Sequence, residues 1–366
     1  MKKIFPPTLT RYLALFFTYR FLGVFGALLC VAYLFDTVEL LRRANKFDDV
    51  PLPLVLQMGL FKLPEVGQVV LPFAVLFSAM LTFWHLTRRQ ELVVIRSAGL
   101  SVWQFLSPVM GVALLIGCLQ MTVLNPVGAL LIARYERLEA VHLNRQQSFV
   151  SLSAQGLWLR QPYEGGNAVL HAQTVKLPEW VLQKTMVLFF DSQNNFVKRI
   201  DSDQAVLERG QWGFRGALVN EPGLPPDRSD YISLATHLTS DEIEDTFSSA
   251  GTIPFWQIPA FIKTLETTGF DAGQIKIHFQ KLLSAPLLFV AMILLAASVS
   301  LRPPRSRGTS LLIVMGVAMG FLVFFTSSFL QALGISGQLP PVLAAWMPAV
   351  ICFLLGVTAM MTLEDG

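Results

Sequence analysis

The sequence predicts a membrane domain of six helices, interrupted by a folded all-β domain. Three observations lead to this prediction. Of the 366 residues, 53% are hydrophobic and only 14% are charged, whereas soluble domains carry roughly a quarter charged residues. Long apolar stretches with few charges lie towards both ends of the chain. The polar middle instead alternates short β-rich runs with turn residues.

Six stretches are long and apolar enough to cross a bilayer, since a spanning helix needs about 20 apolar residues. The first follows a basic N-terminus but has no small-residue cleavage site, so we expect it to remain as a span. Three spans precede the polar middle and three follow it. They cover residues 13–35, 64–86, 102–124, 282–301, 309–331 and 342–362.

The positions of Lys and Arg predict the orientation, because short cytoplasmic loops collect positive charge. Basic residues lie before span one, between spans two and three, and between spans four and five. In the loop after span one, acidic residues balance the basic ones. We therefore expect a multi-pass membrane protein with both termini in the cytoplasm and the polar middle on the outer side.

Seven short β-rich runs separated by turn signals such as EGGN and QNN fill the polar middle. This spacing predicts an all-β sandwich or roll, with Trp158 in its core, followed by a helical return to the membrane. The predicted division is residues 1–133 for the first three spans, 134–275 for the β domain with its return, and 276–366 for the last three spans.

Several function classes find no support in the sequence. The net charge of +3 is too small and too scattered for nucleic-acid binding. The phosphate-binding loop GxxxxGK[ST] is absent, as are HExxH and GxSxG. The three cysteines and five histidines have no ligand spacing. We therefore predict no catalytic residue, no metal and no cofactor, and only Arg20 is placed well inside a span.

The most informative loop is residues 87–99, TRRQELVVIRSAG, between spans two and three. Thr87 and Gln90 match a capping box, and Gly99 would end a short helix. Glu91 would lie near the helix N-terminus, where the helix dipole favours an acidic residue. Its apolar residues Leu92, Val93 and Ile95 would be exposed on this interpretation. A protein partner would cover them, or the helix would lie on the lipid surface, and composition leaves both open.

This loop resembles the coupling helix of the LptF/LptG family of lipopolysaccharide export permeases, through RRQELVVIRSAGLS. The resemblance covers nearly the whole chain, since LPFAVLF in span two and GQLPPVLAAWMPAV in the last loop fit the same family. DTVELLRR at the end of span one and QGLWLRQ at the start of the β domain are closer to the G-type subunit than to the F-type.

The resemblance implies a non-catalytic permease subunit of an ABC transporter that extracts lipopolysaccharide from the inner membrane and passes it to a periplasmic β-jellyroll bridge. The inserted domain would then be jellyroll-like. The implied partners are LptF in a heterodimer, the LptB ATPase dimer, and LptC with its transmembrane helix and jellyroll. ATP would be bound by the ATPase, and the chain itself would hold no cofactor.

The resemblance also implies roles for individual residues. Glu91 would meet a basic residue of the ATPase, with Arg89, Leu92 and Ile95 around it; the alternative for Glu91 is capping of the helix dipole. Phe321, Phe325 and Phe329, spaced at i, i+4, would belong to a lateral gate, although such a stripe also suits a plain lipid-facing surface.

A basic rim is expected where span one emerges on the outer side, because guanidinium groups bind phosphates bidentately. For Arg42 and Arg43, the alternatives are interfacial snorkelling and pairing with Glu39. For Arg134 and Arg137, the alternative is pairing with Glu136 and Glu139. Asp36 stands where family members often carry a lysine. The predicted lipopolysaccharide-binding residues are Arg42, Arg43, Lys46, Arg134 and Arg137.

A second function stays open from the residues alone. A mechanotransmitting membrane subunit, which controls a periplasmic cell-wall hydrolase, would also need the coupling helix. It would need only stiff spans, whereas lipid extraction requires an apolar cavity with a basic rim.

Overall fold

The structure is a computed structural model that describes residues 7–45, 50–97, 99–139, 142–143, 149–153, 156–163, 165–176, 179–193, 195–208, 210–236, 250–268, 271–301 and 309–364. The chain divides into two compact units. The helical unit comprises Met1–Leu138, Gly251–Trp256 and Lys276–Gly366, and the β unit comprises Glu139–Ala250 and Gln257–Ile275.

Five helices make up the first three spans and the connection between them. They are α1 (Pro7–Ala44), α2 (Leu52–Arg88), the short α3 (Glu91–Ser97), α4 (Val102–Leu119) and α5 (Asn125–Glu139). A π-helical turn, Gln120–Leu124, joins α4 and α5 into one continuous segment. A capping box starts α4, in which Ser101 Oγ accepts from the Gln104 N–H at 3.3 Å and Gln104 Oε1 accepts from the Ser101 N–H at 3.1 Å.

Four helices follow the β strands: α6 (Ile258–Thr268), α7 (Gly273–Ser300), α8 (Thr309–Ile335) and α9 (Pro341–Glu364). In the described part of the chain, six helical segments are long and apolar enough to cross a membrane, which confirms the six predicted spans. Several of them exceed the bilayer. The 38 residues of α1 extend about 57 Å at 1.5 Å per residue, against a hydrocarbon core of about 30 Å.

The core of the helical unit lies where α1, α2, α4 and α7 meet. Phe17, Phe83, Phe105 and Phe289 are buried there. Gly117 lets α4 approach α7 closely, because a Cβ at this position would lie 2.5 Å from the Cα of Pro286. Burial differs strongly between spans. In the most apolar window of each, 67% of α7 is buried within the chain, but only 11% of α1 and 17% of α8.

The β unit contains a sheet of seven strands within the described residues, each antiparallel to the next in sequence. The predicted all-β insertion is therefore confirmed. The strands are β1 (Phe149–Ser153), β2 (Gly156–Tyr163), β3 (Gly166–Lys176), β4 (Val181–Asp191), β5 (Phe196–Glu208), β6 (Gln211–Asn220) and β7 (Asp227–Ala235).

The sheet curls into a roll. Gln161 Nε2 on β2 donates to the carbonyl of Ala235 on β7 at 2.8 Å. These strands are five places apart in the sheet order, which would separate them by about 24 Å in a flat sheet. Trp212 is fully buried, whereas Trp158 is half-buried, and its ring lies 4.3 Å from the His171 ring at an interplanar angle of 43°. The prediction that Trp158 anchors the core was therefore wrong.

The turn between β4 and β5 depends on one carboxylate. Asp191 Oδ1 accepts hydrogen bonds from the backbone N–H groups of Asn195 at 2.8 Å and of Gln193 at 2.9 Å. These bonds hold the pKa of the Asp191 carboxyl below its ordinary value, and the bonds from Asn195 have the largest effect. The stabilisation is complete above the ordinary pKa of Asp and is lost as the pH falls through the lowered pKa.

We expect Asp191→Ala to loosen this turn already at neutral pH, and strong acid to loosen it in the unmodified protein. Amide hydrogen exchange of residues 191–195 measures the effect, and Asp203→Ala, at an exposed position on β5, is the control. Equal exchange rates in the Asp191→Ala and unmodified proteins at neutral pH would contradict the assignment.

Candidate functional site

The short helix predicted between spans two and three is present as α3, but it begins differently from the prediction. Thr87 is still part of α2, where its Oγ1 donates to the Phe83 carbonyl at 2.8 Å. The chain turns at Gln90, whose φ is 58°, and α3 starts at Glu91. The capping box at Thr87 and Gln90 was therefore wrong, because α2 continues through Arg88. Gly99, with a φ of 78°, follows α3 as predicted.

The two faces of α3 also differ from the prediction. Leu92 is only 6% exposed and belongs to the core of the helical unit, and Ile95 packs against that core. Val93 and Val94 are 64% and 66% exposed. The apolar residues that a partner could cover are thus Val93 and Val94, while Leu92 and Ile95 hold α3 against the bundle.

Glu91 is linked directly to the first span. Its Oε2 accepts a hydrogen bond from the Tyr12 hydroxyl on α1 at 3.0 Å. Tyr12 stacks on Phe16 at 5.8 Å, and Phe16 in turn lies 5.3 Å from the His85 ring on α2. Arg20 completes the group, since its guanidinium lies 5.1 Å from the Phe16 ring centroid and 3.5 Å from His85 Nδ1. Arg89, which precedes α3, is exposed.

The predicted basic residues lie towards the other end of α1 and on α5. Arg42 is exposed and pairs with Glu39 at 3.0 Å, and Arg43 is half-buried. Such an exposed pair contributes little to stability. Lys46 lies outside the described residues. Arg134 and Arg137 are both exposed on α5.

Sequence reasoning missed Lys62, which contacts both of these helices. Its Nζ donates to Asp36 Oδ1 on α1 at 3.3 Å and lies 5.9 Å from the ring centroid of Tyr135 on α5. Asp36 therefore pairs with a lysine supplied by α2. The available signal was a single cation just before the predicted second span.

The predicted aromatic stripe is exposed on α8. Phe321, Phe325 and Phe329 are each more exposed than buried, and their rings stack in succession at 6.3 and 6.4 Å. Phe324, on the neighbouring face, packs on Phe73 of α2 at 5.9 Å. The stripe therefore faces away from the rest of the described helical unit.

A cavity of about 440 Å³ lies inside the helical unit, between α2, the π-helical turn, α5, α7, α8 and α9. Its polar lining includes Glu65, Gln68, Gln120, Asn125, His278, Lys281 and Gln331, and its apolar lining includes Phe73, Leu288, Phe289 and Met292. Sequence reasoning missed this site, because Glu65 and Lys281 lie at the margins of the apolar windows.

Hydrogen bonds order part of the polar lining. Asn125 Nδ2 donates to Gln68 Oε1 at 3.3 Å, while Asn125 Oδ1 accepts from the Phe255 N–H at 2.9 Å. Lys281 Nζ donates to Gln331 Oε1 at 3.3 Å.

The chain is similar to known proteins over most of its length. Residues 11–362 match the family described as "Lipopolysaccharide export system permease LptF/LptG". The lipopolysaccharide export system permease protein LptG of Escherichia coli (strain K12) is 24% identical over 311 residues, 82% of this chain and 84% of that protein. LptG of Haemophilus influenzae is 23% identical over 351 residues, 94% of this chain and 95% of that protein.

Proposed function

The chain belongs to the LptF/LptG family and is a lipopolysaccharide export system permease, and on this premise we propose that it is the G-type subunit of an ATP-driven extractor. In this role it takes lipopolysaccharide from the inner membrane and passes it to a periplasmic β-jellyroll bridge. It works with other components of the export system, for which we propose LptF, an LptB dimer and LptC. The chain binds no cofactor itself, and ATP is bound and hydrolysed by LptB.

The observation that carries this proposal is the hydrogen bond between Tyr12 and Glu91. It connects α3, the candidate docking helix, to the same long helix that carries Arg42 and Arg43 towards its other end. A force applied to α3 can therefore be transmitted to the first span through a direct side-chain contact. A mechanotransmitter of a cell-wall hydrolase is not supported by the family.

The ATPase docks on α3 in this proposal. Glu91 pairs with a basic residue of the ATPase, and Val93 and Val94 supply the apolar contact that their exposure leaves available. Leu92 and Ile95 hold α3 to the bundle, so movement of the docked ATPase is transmitted to the spans. Arg89 flanks the contact. Both termini and α3 then face the cytoplasm, and the β unit faces the periplasm.

The head-group phosphates of lipopolysaccharide bind at the basic residues on the periplasmic side. Charge-assisted bonds from guanidinium groups to phosphate are stronger than neutral hydrogen bonds. We include Lys62, because its contacts with Asp36 and Tyr135 hold an ammonium group between α1 and α5. The proposed set is Arg42, Arg43, Lys46, Lys62, Arg134 and Arg137.

The lateral gate is formed by α1 and α8 with their counterparts in the partner subunit. These are the two spans that the chain itself buries least. The exposed stripe of Phe321, Phe325 and Phe329 gives α8 an aromatic surface that can pack on a partner helix or on acyl chains.

Tyr12→Phe should lower the coupling of ATP hydrolysis to lipid extraction by about two- to tenfold, because a net hydrogen bond contributes about 0.5–1.5 kcal/mol. The substitution removes the bond to Glu91 but leaves the ring that stacks on Phe16. Lipid released per ATP in reconstituted complexes measures the effect. Tyr19→Phe, on an exposed tyrosine of the same helix, is the control. Equal coupling in both variants would count against this link.

The proposed function as a whole is tested by purifying the chain with its associated subunits and identifying the bound lipid by mass spectrometry. Lipopolysaccharide together with an ATPase supports the proposal. A complex that contains a cell-wall hydrolase and no lipopolysaccharide would overturn it.

A further inference from the structure

The cavity of the helical unit has the size of a ligand-binding site. Its volume of about 440 Å³ falls in the range of small-molecule pockets, about 300–1,000 Å³. One face of α7 lines it from Lys281 to Met292. These positions are eleven residues apart, about 16 Å along a helix, which matches an extended hydrocarbon chain of about a dozen carbons.

The polar end of the cavity contains buried polar atoms that have no hydrogen-bond partner within the described residues. Gln120 is only 6% exposed, and its Oε1 has no partner among the residues that the structure describes. His278 Nε2 is likewise buried without a partner within the described ranges. Buried polar atoms are nearly always hydrogen-bonded. Gln120 also begins the π-helical turn, and such turns occur frequently at functional sites.

The charges at this end restrict the chemistry of the ligand. Glu65 contributes a carboxylate and Lys281 an ammonium group, so the pair carries no net charge. A phosphate or a free carboxylate would find no net attraction here to offset its desolvation, because the attraction of Lys281 and the repulsion of Glu65 oppose each other. An uncharged hydroxyl or amide can instead donate to Gln120 Oε1, and the carbonyl oxygen of an ester or amide can accept from His278 Nε2 when that nitrogen carries the proton.

The other end of the cavity is apolar and points towards α3. Leu288, Phe289 and Met292 lie further along α7 than Lys281, and α7 ends at Ser300, whose carbonyl lies 3.4 Å from Thr87 Oγ1 beside α3. In the proposed orientation, the polar end is therefore nearer the periplasmic surface. A lipid of the periplasmic leaflet directs its chains in the same sense.

We propose that this cavity binds a single acyl chain of about a dozen carbons, with the uncharged polar group at the root of the chain held by Gln120 and His278. The inference rests on the proposed function in one respect, because the exported lipopolysaccharide is one source of such a chain. A phospholipid of the same membrane is the other source. The basic rim binds phosphate, whereas this cavity binds hydrocarbon.

The test places a diazirine analogue of leucine at Leu288 in the complete complex, irradiates it, and identifies the adduct by mass spectrometry. We expect a lipid adduct whose yield falls at least fivefold in Gln120→Leu. Gln57→Leu, at an exposed position of α2, is the matched control and should leave the yield unchanged. The same photoreactive residue at Leu322, an exposed position on α8, reports ordinary lipid contact that neither substitution should alter.

The mass of the adduct separates the two sources, and either lipid supports the inference. His278→Leu is the second variant, for the case that Gln120→Leu lowers the melting temperature of the complex. Labelling at position 322 without labelling at 288 would overturn the inference, as would an adduct at 288 that neither polar substitution reduces. If phospholipid adducts depend on Gln120 while the purified complex holds no lipopolysaccharide, the inference stands and the proposed function fails.

Discussion

Glu91→Lys should separate the ATPase from this chain or leave it bound without coupling. The substitution places an ammonium group opposite the basic residue that we propose on the ATPase, and it also removes the acceptor of the Tyr12 hydroxyl. Breaking one partner of a desolvated interfacial ion pair costs about 2–5 kcal/mol, a loss of about 30-fold or more in affinity. Co-purification of the ATPase and lipid release per ATP measure the two effects.

Glu91→Gln is the informative control for this experiment. It keeps an oxygen that can accept from Tyr12 but removes the charge, so it separates the ion pair from the link to α1. We expect an intermediate loss of ATPase binding with the first span still coupled. Normal co-purification and normal export by the Glu91→Lys protein would remove Glu91 from the mechanism.

Reversing both charges in Arg42→Glu/Arg43→Glu should weaken lipopolysaccharide binding by at least about tenfold. Hydrogen bonds to charged groups contribute about 1.5–3 kcal/mol each, and the new carboxylates would add repulsion towards phosphate. Pairing of Arg42 with Glu39 does not replace this role, because both side chains are largely exposed. Crosslinking of the complex to lipopolysaccharide, titrated against lipid concentration, gives the shift.

The control for the double reversal is Arg228→Glu/Lys263→Glu, which changes the net charge equally at two exposed positions of the β unit. It tests whether the effect follows the position of the charges or only their sum. Crosslinking that is equally strong in both double variants would show that the end of α1 does not bind the phosphates.

The six spans could be predicted because hydropathy is a local property of the sequence. The ends of the spanning helices could not be predicted in the same way, because an apolar window stops at the first charged residue while the helix continues beyond it. Lys281 fell just outside the predicted fourth span, yet it lies within α7 and donates to Gln331, fifty positions away. The cavity was missed partly because of these margins and partly because its lining is not local. Its polar lining is collected from several helices that are distant in sequence.

The errors at α3 and in the roll have a related cause. Thr87 matched a capping pattern, but its hydroxyl donates to the carbonyl of Phe83 within α2 and also lies 3.4 Å from the carbonyl of Ser300, which only the folded bundle places there. Leu92 was predicted to be exposed because a heptapeptide does not indicate which of its faces has neighbours. Trp158 and Trp212 both lie on strands, and the curl of the sheet decides which one is enclosed.

The poor burial of α1 and α8 has a consequence for the biogenesis of the complex. A soluble subunit with two uncovered apolar helices would aggregate, but hydrocarbon tails solvate such surfaces about as well as protein does. In a bilayer these two helices can therefore remain uncovered by protein without driving aggregation. A protein that covers them must then be recognised through the shape of the exposed aromatic side chains and through polar contacts. Apolar surface alone gives no preference for protein over the surrounding lipid.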